Sequence, residues 1–157
     1  MERILFLDID GVVNSDEYFI HCRNRGGDTL FIDPEKVKLL NALKDIPNIS
    51  IVISSSWGTS ADTPLKNLGL EIPISGHTEH FYNDFMCRGN EIEKYLNDHF
   101  DVCTKFTTLH KLNTLCKYVI VDDNDDMLLG QKKNFVKTNA RKGLTDKDIE
   151  KVKQILL

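Results

Sequence analysis

The sequence lacks a long hydrophobic run, a low-complexity tract, an internal repeat and any excess of basic charge. No apolar stretch approaches the ~20 residues that a membrane-spanning helix needs, so no membrane association is expected. Its four cysteines, Cys22, Cys87, Cys103 and Cys116, show no C-x-x-C spacing. Without a secretion signal they read as reduced thiols. Glu2 and Asp8 stand where a signal peptide needs a basic start and an uncharged apolar stretch, which points to a cytoplasmic protein. His77 and His80 lie near Cys87, but no second ligand pair has zinc spacing, so zinc is not expected. A net charge of -4 and a pI near 5.7 argue against a surface that coats nucleic acid, though a local groove for a strand end stays open. There is a single tryptophan, Trp57, and it reads as a packing residue.

What is present is an ordinary globular composition, 157 residues with 41% apolar and 28% charged side chains. That length suits one domain spanning residues 1–157 with a proper core. Apolar runs at residues 4–7, 49–53, 71–74, 118–121 and, more weakly, 134–137 read as five strands. Pro73 puts the third of these near a sheet edge. Helices are expected between them. Asp33-Pro34-Glu35 carries a cap, a proline suited to the first turn and a dipole-compatible acid before Val37, Leu40 and Leu43. Residues 64–68, ending at Gly69, and residues 89–99 read as two more helices, and Thr145-x-x-Asp148 opens a closing one as a capping box. Residues 19–32 read as irregular, with a turn at Gly26-Gly27 and a possible small hairpin at Leu30-Phe31-Ile32. Residues 101–117 fit helix or loop equally. Strands separated by helices imply an α/β fold with a doubly wound, mostly parallel five-stranded Rossmann-like sheet.

The chemistry gathers where strands stop. The first strand ends in Asp8-Ile9-Asp10-Gly11, and a buried strand does not favour carboxylates. Two like charges this close call for a cation between them. The second strand runs into Ser54-Ser55-Ser56, whose hydroxyls and turn amides can donate to an anion. The fourth ends in Asp122-Asp123-Asn124-Asp125-Asp126. Two acidic strand ends in one small sheet suit a hard divalent cation such as Mg²⁺, which takes oxygen ligands. In open α/β sheets these carboxyl ends are where ligands bind. Arg88 stands at a helix start, where the dipole disfavours it, so either a bound anion or a neighbouring acid such as Glu91 must compensate.

These residues resemble the haloacid dehalogenase (HAD) superfamily of aspartate-nucleophile phosphohydrolases. Asp8-Ile9-Asp10-Gly11-Val12 matches the D-x-D-G-V motif, and Ser54 the Ser/Thr motif, with Ser55 the alternative. Arg88 takes the place of the motif's Lys/Arg, where lysine is more frequent. Val121-Asp122-Asp123 matches the acidic motif, with Asp126 a further acid. The wording around these motifs is similar to the small HAD domains of RNA repair proteins and, more loosely, to the phosphatase half of polynucleotide kinase-phosphatases.

The resemblance implies a mechanism. Asp8 attacks phosphorus to give an aspartyl-phosphate, and Asp10 protonates the leaving oxygen and then activates water. Mg²⁺ is held by the Asp8 carboxylate, the Asp10 carbonyl and Asp123, with Asp122 beside it. Ser54 or Ser55, Arg88 and the Gly11 turn bind the phosphoryl group. The gaps between motifs leave no room for a large cap, only a minimal flap over residues 14–32, in which His21, Arg23 and Arg25 could touch substrate or simply be exposed. An open mouth suits a polynucleotide end phosphate, RNA or DNA. A nucleotide or small-metabolite phosphatase is the alternative, and a non-catalytic module binding phosphate or metal is the reading from another class.

Overall fold

The computed structural model describes residues 1–24, 31–80, 87–100 and 116–157. Its centre is strand β1 (Glu2–Leu7), which pairs in parallel with β2 (Ile49–Ile53) on one side and β4 (Cys116–Asp122) on the other. Strand β3 (Ile74–His77) flanks β2, and β5 (Phe135–Lys137) flanks β4, giving five parallel strands in the order β3-β2-β1-β4-β5. The expected α/β sheet is therefore present. A parallel sheet needs cover on both faces. Leu5 and Leu7 of β1 face a cluster completed by Val37 and Leu40 of α2 (Pro34–Leu40), Leu65 of α3 (Asp62–Asn67) and Ile149, Val152 and Leu156 of α5 (Asp146–Leu156). The alternate residues Ile4 and Phe6 face Ile92, Tyr95 and Leu96 of α4 (Arg88–Phe100). There Phe6 meets the edges of Tyr95 and Tyr118, at ring-centroid distances of 5.6 and 6.0 Å.

Local signals account for the helix starts. Asp33 accepts the Glu35 N–H at 2.9 Å, and Pro34 occupies the first turn of α2. The Thr145 hydroxyl and N–H both donate to Asp148, at 2.6 and 3.2 Å, to open α5. Two expectations are corrected. Residues 71–73 are not a strand: Pro73 lends only its carbonyl to the Ile51 N–H (2.8 Å), and β3 begins at Ile74, at the edge of the sheet. The stretch expected to be irregular, residues 19–32, begins inside α1 (Asp16–Asn24), with the Ser15 hydroxyl accepting the Tyr18 N–H at 3.2 Å and Asp16 and Glu17 in its first turn. Sequence periodicity missed α1 because it buries no residue. The Gly26-Gly27 turn and nearly all of 101–117 lie outside the described residues, while Cys116 and Lys117 already belong to β4.

Beyond Leu7, Ile53 and Val121, which pair across the sheet, backbone bonding continues into a polar rim. Asp8 N–H donates to Val121 O (3.0 Å), Ser54 N–H to Leu7 O (2.8 Å), Thr78 N–H to Ile53 O (2.9 Å) and Thr138 N–H to Asp122 O (2.9 Å). The strand order reverses between β1 and β4, so Asp8 and Asp122 flank the switch point where such sheets bind ligands. The buried Thr138 hydroxyl also donates to Gly11 O at 3.0 Å and pins the turn after β1. Thr138→Val should strand that carbonyl and lower stability by about 1–3 kcal/mol, read as a lower urea midpoint at unchanged slope.

Candidate active site

Asp8, Asp122 and Asp123 each offer a carboxylate oxygen, and these oxygens lie within 4.8 Å of one another. Asp8 and Asp122 are buried because each continues or ends a central strand. Burial raises Asp8 to about 6, against the Ser55 hydroxyl, the Ile9 N–H and Arg88, with Asp10 adding to the rise. Burial and then the Asp8 charge raise Asp122 to about 7, against the Asn124 N–H and Arg88. The cluster is thus short of positive charge. Three hard oxygen donors without nitrogen or sulfur fit a cation of the Mg²⁺ class.

Gly11 makes the close approach possible. Its φ is +73°, and a Cβ there would sit 2.6 Å from the Asp123 Cγ. The sequence had marked Gly11 for phosphate binding. The geometry gives it the further task of leaving space for Asp123.

Arg88 supplies the charge from the opposite side. Its Nη1 donates to Glu91 Oε2 at 2.6 Å, and its Nε lies 3.6 Å from Asp122 Oδ2. Burial works against the guanidinium's charge, but Glu91, Asp8 and Asp122 outweigh it and hold Arg88 above its ordinary pKa. Of the two expectations for an arginine at a helix start, the neighbouring acid is met: Arg88 pairs with the buried Glu91 and faces Asp122. Glu91 also meets His80 Nδ1 at 2.9 Å, and His77 meets Asp62 at 2.8 Å, so the two histidines serve separate carboxylates. Asp126 is not part of the acidic cluster. Its Oδ2 accepts the Arg88 N–H at 3.0 Å and caps α4.

The two serines diverge. Ser55 hydrogen-bonds to Asp8, whereas the Ser54 hydroxyl is buried and has no partner among the described residues. A buried orphan hydroxyl beside a carboxylate cluster has donor capacity left for a ligand.

Asp10 is exposed, stands outside the three-carboxylate cluster and lines an open cavity at the mouth. Its Oδ1 accepts the Asn14 amide at 2.7 Å and its Oδ2 accepts the Trp57 indole N–H at 3.0 Å. Asn14 Oδ1 in turn accepts the Gly11 N–H at 2.9 Å, closing the loop. Sequence reasoning assigned Trp57 to packing alone and did not single out Asn14. Trp57 does pack against the core, and its polar edge also fixes Asp10. The only prior signal was proximity in the chain: Asn14 in the Asp10 turn, Trp57 directly after the serines.

A parallel α/β sheet with paired carboxylates, a serine and an arginine at its switch point defines a HAD-type domain. The family model described as the HAD domain in Swiss Army Knife RNA repair proteins matches residues 4–149, and the chain belongs to that family. No curated protein and no solved structure matches the chain.

Two measurements follow. Gly11→Ala should displace Asp123 and weaken Mg²⁺ binding by about tenfold or more, read by titration calorimetry. The raised Asp8 and Asp122 values have a definite sign: the folded state binds more protons than the unfolded chain between about pH 4 and 7. Metal-free protein should therefore lose stability as pH rises through that window, and Mg²⁺ should raise Tm most above it, where both carboxylates are ionised.

Proposed function

We propose that the protein is a Mg²⁺-dependent phosphohydrolase working through an aspartyl-phosphate on Asp8, with the phosphate at a polynucleotide end as its favoured substrate. The observation that carries this reading is the division of labour in the first turn. Asp8 is buried in the acidic cluster, while Asp10 is exposed and held at the mouth by Trp57 and Asn14. Membership of a HAD family found in RNA repair proteins supports the nucleic-acid substrate.

Asp8, Asp122 and Asp123, with the Asp10 carbonyl, would hold Mg²⁺, which when bound neutralises the carboxylates and the incoming phosphate. An Asp8 oxygen attacks phosphorus as the bond to the leaving oxygen breaks, and that oxygen takes its proton from Asp10. The Asp10 carboxylate then removes a proton from water, which attacks phosphorus and frees Asp8 and inorganic phosphate. Arg88, positioned by Glu91, compensates charge on the phosphoryl oxygens. The unpartnered Ser54 hydroxyl donates to one of those oxygens, and Ser55 keeps Asp8 oriented. Residues 14–32 serve as a flap beside a single catalytic unit working in the cytoplasm.

A second reading, a phosphatase for nucleotides or small metabolites, draws on a cavity of about 360 Å³ beside Asp10, which would admit one small ligand. Phosphate release from 3′- and 5′-phosphorylated oligonucleotides, mononucleotides and sugar phosphates separates the two. Preference for oligonucleotides is expected, and turnover of small esters alone would sink the nucleic-acid reading. Asp8→Asn should cut turnover by at least ~10³-fold while leaving the fold intact by circular dichroism. A chelator should silence the wild type and added Mg²⁺ restore it. Wild-type rates in Asp8→Asn would refute the covalent mechanism.

A further inference from the structure

The α1 helix is amphipathic towards no core. It buries no residue, yet Ser15, at its cap, and Tyr18, Phe19 and Cys22 share one face at helical spacing. That face and Phe31 form one wall of the 360 Å³ cavity, and Asp10, Gly11 and Asp123 form the other. Phe19 and Phe31 stack with centroids 6.3 Å apart and planes 15° from parallel. Even so, they remain 46% and 48% exposed, large apolar surface left open beside a reaction centre. The helix is tied in place at its start, where Asp16 and Glu17 donate N–H bonds to the carbonyls of Ala140 and Arg141, each at 3.1 Å.

We propose that Phe19 and Phe31 are a stacking platform for the base of the nucleoside that carries the scissile phosphate. This rests on the proposed phosphatase reading and names where its leaving group goes. Asp10 is the group that protonates the leaving oxygen, so the leaving nucleoside lies on the side Asp10 faces, and that side is the aromatic-walled cavity. The charges of the wall select further. Asp10, Asp16 and Asp123 line it, and no Lys, Arg or His does among the described residues, so a second anionic group is disfavoured there and a neutral planar one is welcome. The α1 residues His21 and Arg23 are exposed and do not line the cavity. A base has a π-face whatever its identity, so the platform binds without reading sequence.

The test compares two 3′-phosphorylated oligonucleotides, one with a normal terminal nucleotide and one whose terminal nucleotide is abasic. Acetyl phosphate serves as a substrate with no nucleoside at all. In the wild type the terminal base should raise kcat/KM by about tenfold or more, chiefly through KM. In F19L/F31L, which keeps apolar bulk but loses both rings, that ratio should collapse towards one, and F19W should restore it. Since α1 buries no core residue and Phe31 is itself exposed, these variants should fold. Equal wild-type rates on both oligonucleotides, or a ratio that survives F19L/F31L, would overturn the platform and leave the phosphatase reading standing. Hydrolysis of acetyl phosphate with neither oligonucleotide nor their 5′-phosphorylated counterparts turned over would overturn the platform and the polynucleotide substrate together.

Discussion

Everything at this site depends on two carboxylates held where charge is costly. Asp8 and Asp122 are buried at the ends of adjacent central strands, and their own backbones fix them there, Asp8 N–H on Val121 O and Thr138 N–H on Asp122 O. Burial raises the pKa of both, the Asp8 charge raises that of Asp122 further, and Asp123 completes the cluster in the space left by Gly11. Such an arrangement is unfavourable in an isolated chain. It makes sense as one half of an ionic assembly completed by a cation. Some folding free energy is thereby spent on keeping three acids together, the usual condition of a preorganised site.

The surroundings limit that cost. Arg88 reaches Asp122 from α4, and Glu91 one helical turn on fixes the guanidinium. Asp126, which the motif pattern offered as a further acid, caps the same helix and so sets where Arg88 begins. Acids of one short segment thus take three roles: cluster member, helix cap and, for Asp125, surface partner of Lys137. Asp10 is held differently. Two neutral donors, Asn14 and Trp57, each hold one of its two side-chain oxygens.

Helix α1 extends this logic outward. Helix α1 has no core to cover and is fastened by backbone bonds to the loop after β5. Its aromatic face therefore shapes the approach to Asp10 and contributes little to the core. The buried acidic cluster, the exposed Asp10 and the aromatic wall next to it thus follow one another from the inside of the site outwards.

Much of this was legible in the chain because it is local. Apolar runs, strand-end acids, Asp33-Pro34-Glu35 and Thr145-x-x-Asp148 act through neighbours a few residues apart, so fold class, strand number, the α2 and α5 starts and the candidate residues could be read directly. Helix α1 was missed because amphipathic periodicity reports burial and this helix buries nothing. Strand β3 was misplaced because Pro73 delays pairing that depends on β2. The sequence by itself determined which side chains have the chemistry. Only the tertiary structure decided that Ser55 bonds to Asp8 while Ser54 has no partner among the described residues, that Trp57 holds Asp10, and that Asp126 caps a helix, because each turns on a contact between segments far apart in the chain or on a side-chain direction that spacing does not set.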